Sequence, residues 1–212
     1  MIVVLLGPPG AGKGTQGERI AERLAVPKIA TGDVLRSAIR EGTEQGLAAK
    51  SYMDRGDLVP DSVILGIMKE VLAAPSASKG AVLDGVVRTV PQAEGLWMML
   101  AELGRKVDRF LLFDVDEDEL VQRLSGRTVC DSCQTPYKGV EPGTKCPKCG
   151  GTLVRRKDDE PESIRNRLEV YRAQTQPVIE WCKEKKMALV EIKATGDLDE
   201  ITDLAMKALL EP

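Results

Sequence analysis

The chain has 212 residues, 42% hydrophobic and 30% charged, enough to bury one sizeable core with room for one or two inserts. A net charge of −3 gives no general attraction to nucleic acid, and no stretch approaches the length of a membrane span. Histidine is absent, which excludes Ser-His-Asp and Cys-His chemistry and any His-ligated metal.

The apolar run Ile2-Val3-Val4-Leu5-Leu6 reads as a short buried strand and not as a leader, because it lacks a basic flank and is too short. It feeds Gly7-Pro8-Pro9-Gly10-Ala11-Gly12-Lys13-Gly14-Thr15-Gln16, and a helical stretch from Glu18 to Ala25 follows. Strand, glycine-rich turn and helix in that order make a phosphate-binding loop: backbone N–H groups converge on phosphate oxygens and the helix dipole favours the anion. Lys13 supplies an ammonium for the β and γ phosphates, and Thr15 a hydroxyl for phosphate or Mg²⁺. The usual pattern has Ser or Thr directly after the lysine, where this chain has Gly14.

Further strands are predicted at Lys28-Ile29-Ala30, Ala81-Val82-Leu83, Arg109 to Val115 and Ala188 to Ile192, with helical patterns between them. This predicts an α/β fold, a doubly wound parallel sheet of about five strands with its ligand at their carboxyl ends. Two stretches break the alternation and read as inserts on the rim. Residues 31–74 hold successive helices (Gly32 to Glu41, Thr43 to Arg55, Asp61 to Ala74), and residues 127–158 are rich in Cys, Gly, Pro and Thr.

The second insert carries Cys130-Asp131-Ser132-Cys133 and Cys146-Pro147-Lys148-Cys149. Two such knuckles offer four thiolates to a tetrahedral ion, a closed shell with no position left for substrate, so the reading is one structural Zn²⁺. A pair of disulfides, or iron in place of zinc, are the competing readings. Without an export signal the compartment should be reducing and cytoplasmic, which disfavours disulfides. The fifth cysteine, Cys182, lies beside Trp181 in a helical pattern and should pack, not ligate.

Arg36, Arg88, Arg123, Arg127, Arg156 and Arg167 all fall in or beside the segments that border the carboxyl edge of the sheet. A guanidinium clamps phosphate through paired hydrogen bonds and stays charged throughout a reaction, although a lone Arg on a helix is more often solvated or ion-paired.

The phosphate loop, Thr31-Gly32-Asp33-Val34-Leu35-Arg36, Gly56-Asp57-Leu58-Val59-Pro60-Asp61, Leu83-Asp84-Gly85 with Arg88-Thr89 and Gln92, and Arg156-Lys157-Asp158-Asp159 with Arg165-Asn166-Arg167-Leu168 together resemble adenylate kinase. The similarity runs from Met1 to about Thr195, and the knuckles fall where the long bacterial form of that family carries a zinc-bearing lid. The resemblance implies a core domain (1–30, 75–126 and 159–212), an AMP-binding domain (31–74) and a lid (127–158). It implies transfer of the terminal phosphoryl group of MgATP to AMP, in line and without a covalent enzyme intermediate, giving two ADP. The partners would then be ATP, AMP and ADP, with no nucleic acid or membrane, and the chain would act as a monomer.

Residue by residue, the resemblance assigns the ATP phosphates to Gly10, Gly12, Lys13, Gly14 and Thr15, with Arg123 and Arg127. Thr31, Arg36, the Leu58-Val59 backbone, Arg88, Gln92, Arg156 and Arg167 would hold AMP, with Gln92 on the adenine edge. Asp33 and Asp84 would attend Mg²⁺, and Lys13, Arg88, Arg123, Arg156 and Arg167 would act on the transferring group. Closure of the lid would exclude water.

This sequence departs from the family in two places. It has Val86-Val87 where the family usually has Phe-Pro, at a turn that should aim Arg88, and Ala30 where the family usually has Ser. The valines should sit in trans peptides and the path to Arg88 should differ or carry strain. Other readings are a kinase for another nucleoside monophosphate, a nucleotide-gated zinc-ribbon module that binds nucleic acid, and a non-catalytic nucleotide sensor.

Overall fold

The computed structural model describes residues 1–211. In chain order the main elements are β1 (Ile2–Leu6), α1 (Lys13–Leu24), β2 (Lys28–Ala30), α2 (Thr31–Glu41), α3 (Glu44–Arg55), α4 (Asp61–Ala73), β3 (Ala81–Asp84), α5 (Val90–Glu102), β4 (Arg109–Asp114) and α6 (Glu117–Ser125). They continue with β5 (Arg127–Cys130), β6 (Pro136–Lys138), β7 (Leu153–Val154), α7 (Pro161–Val170), a π-helical turn (Tyr171–Thr175), α8 (Gln176–Glu184), β8 (Leu189–Lys193) and α9 (Leu198–Leu210).

Five parallel strands form the main sheet in the order β2-β3-β1-β4-β8, as expected for a doubly wound α/β fold. All of β1 is buried because the sheet is covered on both faces, and so it reads as a continuous apolar run. Ile2, Val4 and Leu6 pack towards α4, α5 and α8, against Met68, Leu96, Leu100, Val178 and Trp181. Val3 and Leu5 pack on the other face towards α1, α6, α7 and α9, against Ile20, Leu124, Ile164 and Ala205. Complete burial of each such side chain contributes about 1.5–3 kcal/mol, so this two-sided packing dominates the stability of the core.

The predicted helix after the phosphate loop begins at Lys13, earlier than Glu18, because Gly12, with φ 87°, serves as its N-cap. Gly10 and Gly12 both lie in the left-handed region, which glycine adopts without a Cβ penalty. The first turn of α1 therefore belongs to the loop itself, and its backbone donors have no intrahelical partner.

The connections leaving β1 and β3 run in opposite directions, so a crevice opens between their carboxyl ends. Residues of α2, α3 and α4 line it, among them Arg36, Met53 and Ile64, and so do Arg127 of β5 and Tyr137 of β6. Strands β5, β6 and β7 form a separate antiparallel sheet in the order β6-β5-β7. The Val86 and Val87 departure meets a packed environment, 0% and 2% exposed in the same apolar cluster as α4 and α5. The turn is taken by Gly85 at φ 66°, no cis peptide is present among the described residues, and neither valine has positive φ.

Candidate active site

A cavity of about 580 Å³ fills the crevice, and it is lined by Gly10, Gly12, Lys13, Gly14, Thr15, Thr31, Asp33, Leu58, Val59, Asp84 and Gln92, together with all six arginines singled out from the sequence. Every nucleotide- and magnesium-associated residue expected from the resemblance thus reaches one space, drawn from segments more than 150 positions apart.

Lys13, in the first turn of α1, donates from Nζ to the Gly7 and Pro8 carbonyl oxygens at 2.7 and 2.8 Å. Burial pushes its pKa down to about 8; Asp84 opposes that shift, while Arg88, Arg167 and Arg127 reinforce it. The ammonium is thus held in a site short of negative charge. The Asp84 carboxylate lies against the loop, with Oδ2 3.5 Å from where a Cβ on Gly14 would stand.

The arginines are held by their own set of acceptors. Arg127 binds Asp159 bidentately, at 2.8 Å from Nε and 2.6 Å from Nη2, and Arg167 shares Asp159 Oδ1 at 2.9 Å while also donating to the Asp158 carbonyl at 2.8 Å. The Asp159 side chain is only 4% exposed. Burial would raise the pKa of Asp158, but Arg167, Arg156, Arg36 and Arg127 hold it below the usual carboxylate range. Arg123 Nη2 donates to Glu119 Oε1 at 2.5 Å and to the Ala194 carbonyl at 2.8 Å. Burial lowers the Arg156 pKa to about 9, with Arg36 and Arg127 adding to the effect, so it remains charged at neutral pH. Arg88 and Arg167 are lowered too, chiefly by burial.

Arg36 donates to Asp33 Oδ1 at 2.5 Å, and Lys28 stands 3.9 Å from Asp33 Oδ2. Asp33 is therefore engaged by cations on both oxygens, whereas Asp84 is the carboxylate presented beside the loop. The Nε atoms of Arg36 and Arg156 are buried without a partner among the described residues. A buried donor in that condition costs about 1–3 kcal/mol unless something binds it, and an oxyanion in the cavity is the chemical complement.

Thr31 and Gln92 line the cavity but are already bonded within the protein. Thr31 Oγ1 donates to the Gly85 carbonyl at 2.8 Å. Gln92 Oε1 accepts from the Arg88 backbone N–H at 2.7 Å, and Nε2 donates to Asp61 Oδ1 at 2.7 Å. Asp61, Asp158, Asp159, Glu119 and Lys28 received no role from sequence; Asp61, Asp158 and Asp159 stood inside quoted motifs, so the signal was there without the pairing. Tyr171 and Thr175, at either end of the π-helical turn, also line the cavity. Such turns recur at functional sites.

In the β5–β7 region the Sγ atoms of Cys130, Cys133, Cys146 and Cys149 lie within 4.8 Å of one another. Cys130 and Cys149 are 3.4 Å apart and Cys133 and Cys146 3.7 Å apart, close to the roughly 3.8 Å edge of a tetrahedron with 2.3 Å zinc–sulfur bonds. The cysteines are free thiols and not disulfides. Gln134 and Gly150, each four residues after the first cysteine of its knuckle, both take positive φ, 60° and 76°. Gln134 offsets the strain of that conformation by donating to the Cys130 and Asp131 carbonyls at 3.1 and 3.0 Å. Cys182 is buried in the core among α8 neighbours, as expected, and burial pushes its pKa up to about 12.

The adenylate kinase family model matches residues 5–187. The chain belongs to the adenylate kinase family. An adenylate kinase of Gemmatimonas aurantiaca is 67% identical over 211 residues, covering 99% of each chain. One from Thermodesulfovibrio yellowstonii is 49% identical over 215 residues, covering 100% of this chain and 99% of its own. One from Methanocella arvoryzae is 48% identical over 206 residues, covering 95% of each. This membership makes the chain a kinase and nucleotide-binding transferase, and sets aside the readings as a zinc-ribbon binding module or a non-catalytic sensor.

Proposed function

We propose that this adenylate kinase carries out the reversible reaction of MgATP and AMP to two ADP with the residues around the cavity in the roles that follow. The observation that carries the assignment is the convergence of Lys13 and six arginines on one crevice in a chain of net charge −3, two of those arginines having a buried donor with no partner among the described residues. Gly10, Gly12, Lys13, Gly14 and Thr15 receive the ATP phosphates, with Arg123 and Arg127 beside them. Arg36, Arg88, Arg156 and Arg167 bind the acceptor phosphate and steady the transferring group, and Thr31, Leu58, Val59 and Gln92 enclose the acceptor nucleoside. Phosphoryl transfer in line between the two nucleotides needs positioning and charge, and this lining supplies both.

Asp84 holds Mg²⁺, mostly through its waters; Asp33, gripped by Arg36 and Lys28, supports the acceptor side. The ion, when bound with ATP, neutralises charge on the phosphate chain. The four cysteines hold one structural Zn²⁺. Residues 31–74 act as the AMP-binding domain and 127–158 as a lid over the core made of the remaining segments. Supporting that division, Ser163 and Asn166 of α7 bond the Asp54 and Arg55 carbonyls of the first insert, and Lys148 of a zinc knuckle stands 3.5 Å from Glu18 of α1. The expected setting is cytoplasmic, which the free thiols suit, and the expected form is a monomer without nucleic-acid or membrane partners. No helix among the described residues is long and apolar enough to cross a membrane. Assay of ADP formation across nucleoside monophosphates tests AMP against other acceptors.

Lys13 makes ATP binding depend on pH. Its pKa is about 8 in the free protein against an ordinary 10.5, and a bound triphosphate raises it again. Binding near pH 8 therefore takes up a proton, and ATP affinity falls as pH rises through 8, by at most about tenfold per unit. Stability of the free protein runs the other way: between 8 and 10.5 the unfolded chain holds more protons at Lys13, so this residue's contribution rises with pH. Calorimetry in buffers of different ionisation enthalpy reads the uptake; ATP affinity that is flat from pH 7 to 9 would refute it.

Val87 lines the cavity next to Arg88, whereas the phosphate loop lies on another segment. Replacing Val86 by Phe and Val87 by Pro should change KM for AMP far more than KM for ATP. Because both valines are fully packed, the larger ring also crowds the core, at a cost of about 1–3 kcal/mol visible in a melting curve. Equal shifts in the two KM values would show that these valines do not govern the acceptor side.

A further inference from the structure

We propose that Asp61 fixes which end of the Gln92 amide is oxygen and which is nitrogen, and thereby sets the preference for the acceptor base; this rests on the reading of Gln92 as the group that meets that base. Asp61 is the first residue of α4, and Gln92 lies in the first turn of α5, bounded by its N-cap Thr89. The Gln92 side chain is buried, 1% exposed. A primary amide is nearly symmetric in shape, so its neighbours alone decide its orientation. Here the two neighbours agree. Nε2 donates to the Asp61 carboxylate at 2.7 Å, and Oε1 accepts the Arg88 backbone N–H at 2.7 Å. Thr89 reinforces the arrangement by donating from Oγ1 to the same Asp61 oxygen at 3.2 Å while accepting the Gln92 backbone N–H at 3.2 Å.

Turning the amide over would set its carbonyl oxygen against a carboxylate and its NH₂ against an N–H, two repulsive contacts in a buried place. Oriented as it is, Gln92 has one N–H and one oxygen lone pair left, in a fixed order. The Watson–Crick edge of adenine offers the complement, an acceptor at N1 and a donor at N6. Hypoxanthine, in inosine monophosphate, offers the reverse, a donor at N1 and an acceptor at O6. Asp61 therefore selects by holding Gln92 and need not touch the acceptor: it is a positioning residue. A carboxylate in the first turn of α4 also favours that helix through its dipole, but such a role would act on stability alike for every substrate.

The test is steady-state kinetics with AMP and inosine monophosphate as acceptors, at saturating MgATP, for the wild type, Asp61→Ala, Asp61→Asn and Gln92→Ala. Asp61→Ala is expected to lower the AMP-to-inosine-monophosphate ratio of kcat/KM by about tenfold or more, chiefly through KM for AMP, because a site that loses a fixed hydrogen-bond pattern loses its discrimination. KM for ATP should stay within about twofold, since the phosphate loop is not engaged by this network. Asp61→Asn keeps an acceptor oxygen for Gln92 and Thr89 and should restore most of the ratio. If Asp61→Ala does not fold, Asp61→Ser, too short to reach Gln92, takes its place. An unchanged ratio in Asp61→Ala while Gln92→Ala lowers it overturns the role of Asp61 and leaves the reading of Gln92 standing. An unchanged ratio in both overturns the two together, whereas Asp61→Asn as impaired as Asp61→Ala overturns the role of Asp61 alone.

Discussion

Lys13→Met should lower turnover by about a hundredfold or more, some 2.7 kcal/mol of transition-state stabilisation, while leaving the fold intact. Methionine nearly matches the length of lysine but brings no charge. The ammonium is buried among cations, held by the Gly7 and Pro8 carbonyls with Asp84 as the carboxylate that favours its charge. As the phosphoryl group leaves ATP, charge shifts along the phosphate chain, and a preorganised ammonium in a site shielded from water answers that shift without reorganisation. Removing a charge that burial disfavours should leave the melting temperature unchanged or slightly higher, which separates loss of chemistry from loss of structure. A well-folded variant with near-normal turnover would contradict the placement of Lys13 at the ATP phosphates.

How much of this was legible in the sequence differs between scaffold and site. The strands could be read because parallel strands covered on both faces must be apolar throughout, as Ile2–Leu6 is. The start of α1 could not, because Gly12 and Gly14 hide helical periodicity in the stretch where the chain first turns helical. The cations of the cavity were named from sequence and placed along the carboxyl edge of the sheet, but only the resemblance gave each a nucleotide. Their acidic partners stayed unassigned, since local spacing does not say that Arg127 meets Asp159 across 32 positions or that Gln92 meets Asp61 across 31. Val86 and Val87 were read as a departure at the turn that aims Arg88; their burial in the apolar cluster beside α4 and α5 was not legible from local spacing, and their effect on Arg88 is what the double substitution tests.

The four cysteines carry the second large effect. Removing the metal with a chelator, or replacing Cys146 by Ala, should unfold the β5–β7 region at lower temperature than the core, because little else holds that region together. Its apolar cluster is only Cys130, Cys146 and Leu153, with Tyr137 and Val140 partly buried against it. Apparent binding free energies for structural zinc are on the order of 10 kcal/mol and are coupled to folding, so such an ion would outweigh this cluster. Four thiolates close a tetrahedral shell that suits zinc and also iron, so metal analysis decides between the two. The main sheet has its own two-sided core, so ATP binding at the phosphate loop should persist in Cys146→Ala. Turnover should not, because Arg127 and Arg156 stand at the two roots of the unfolded region and lose their fixed positions. Metal analysis with melting curves under reducing conditions checks the whole chain of reasoning. Close to one zinc per chain and a chelator-sensitive first transition are expected; far less than one zinc, or melting indifferent to chelator, would overturn the assignment of a structural zinc.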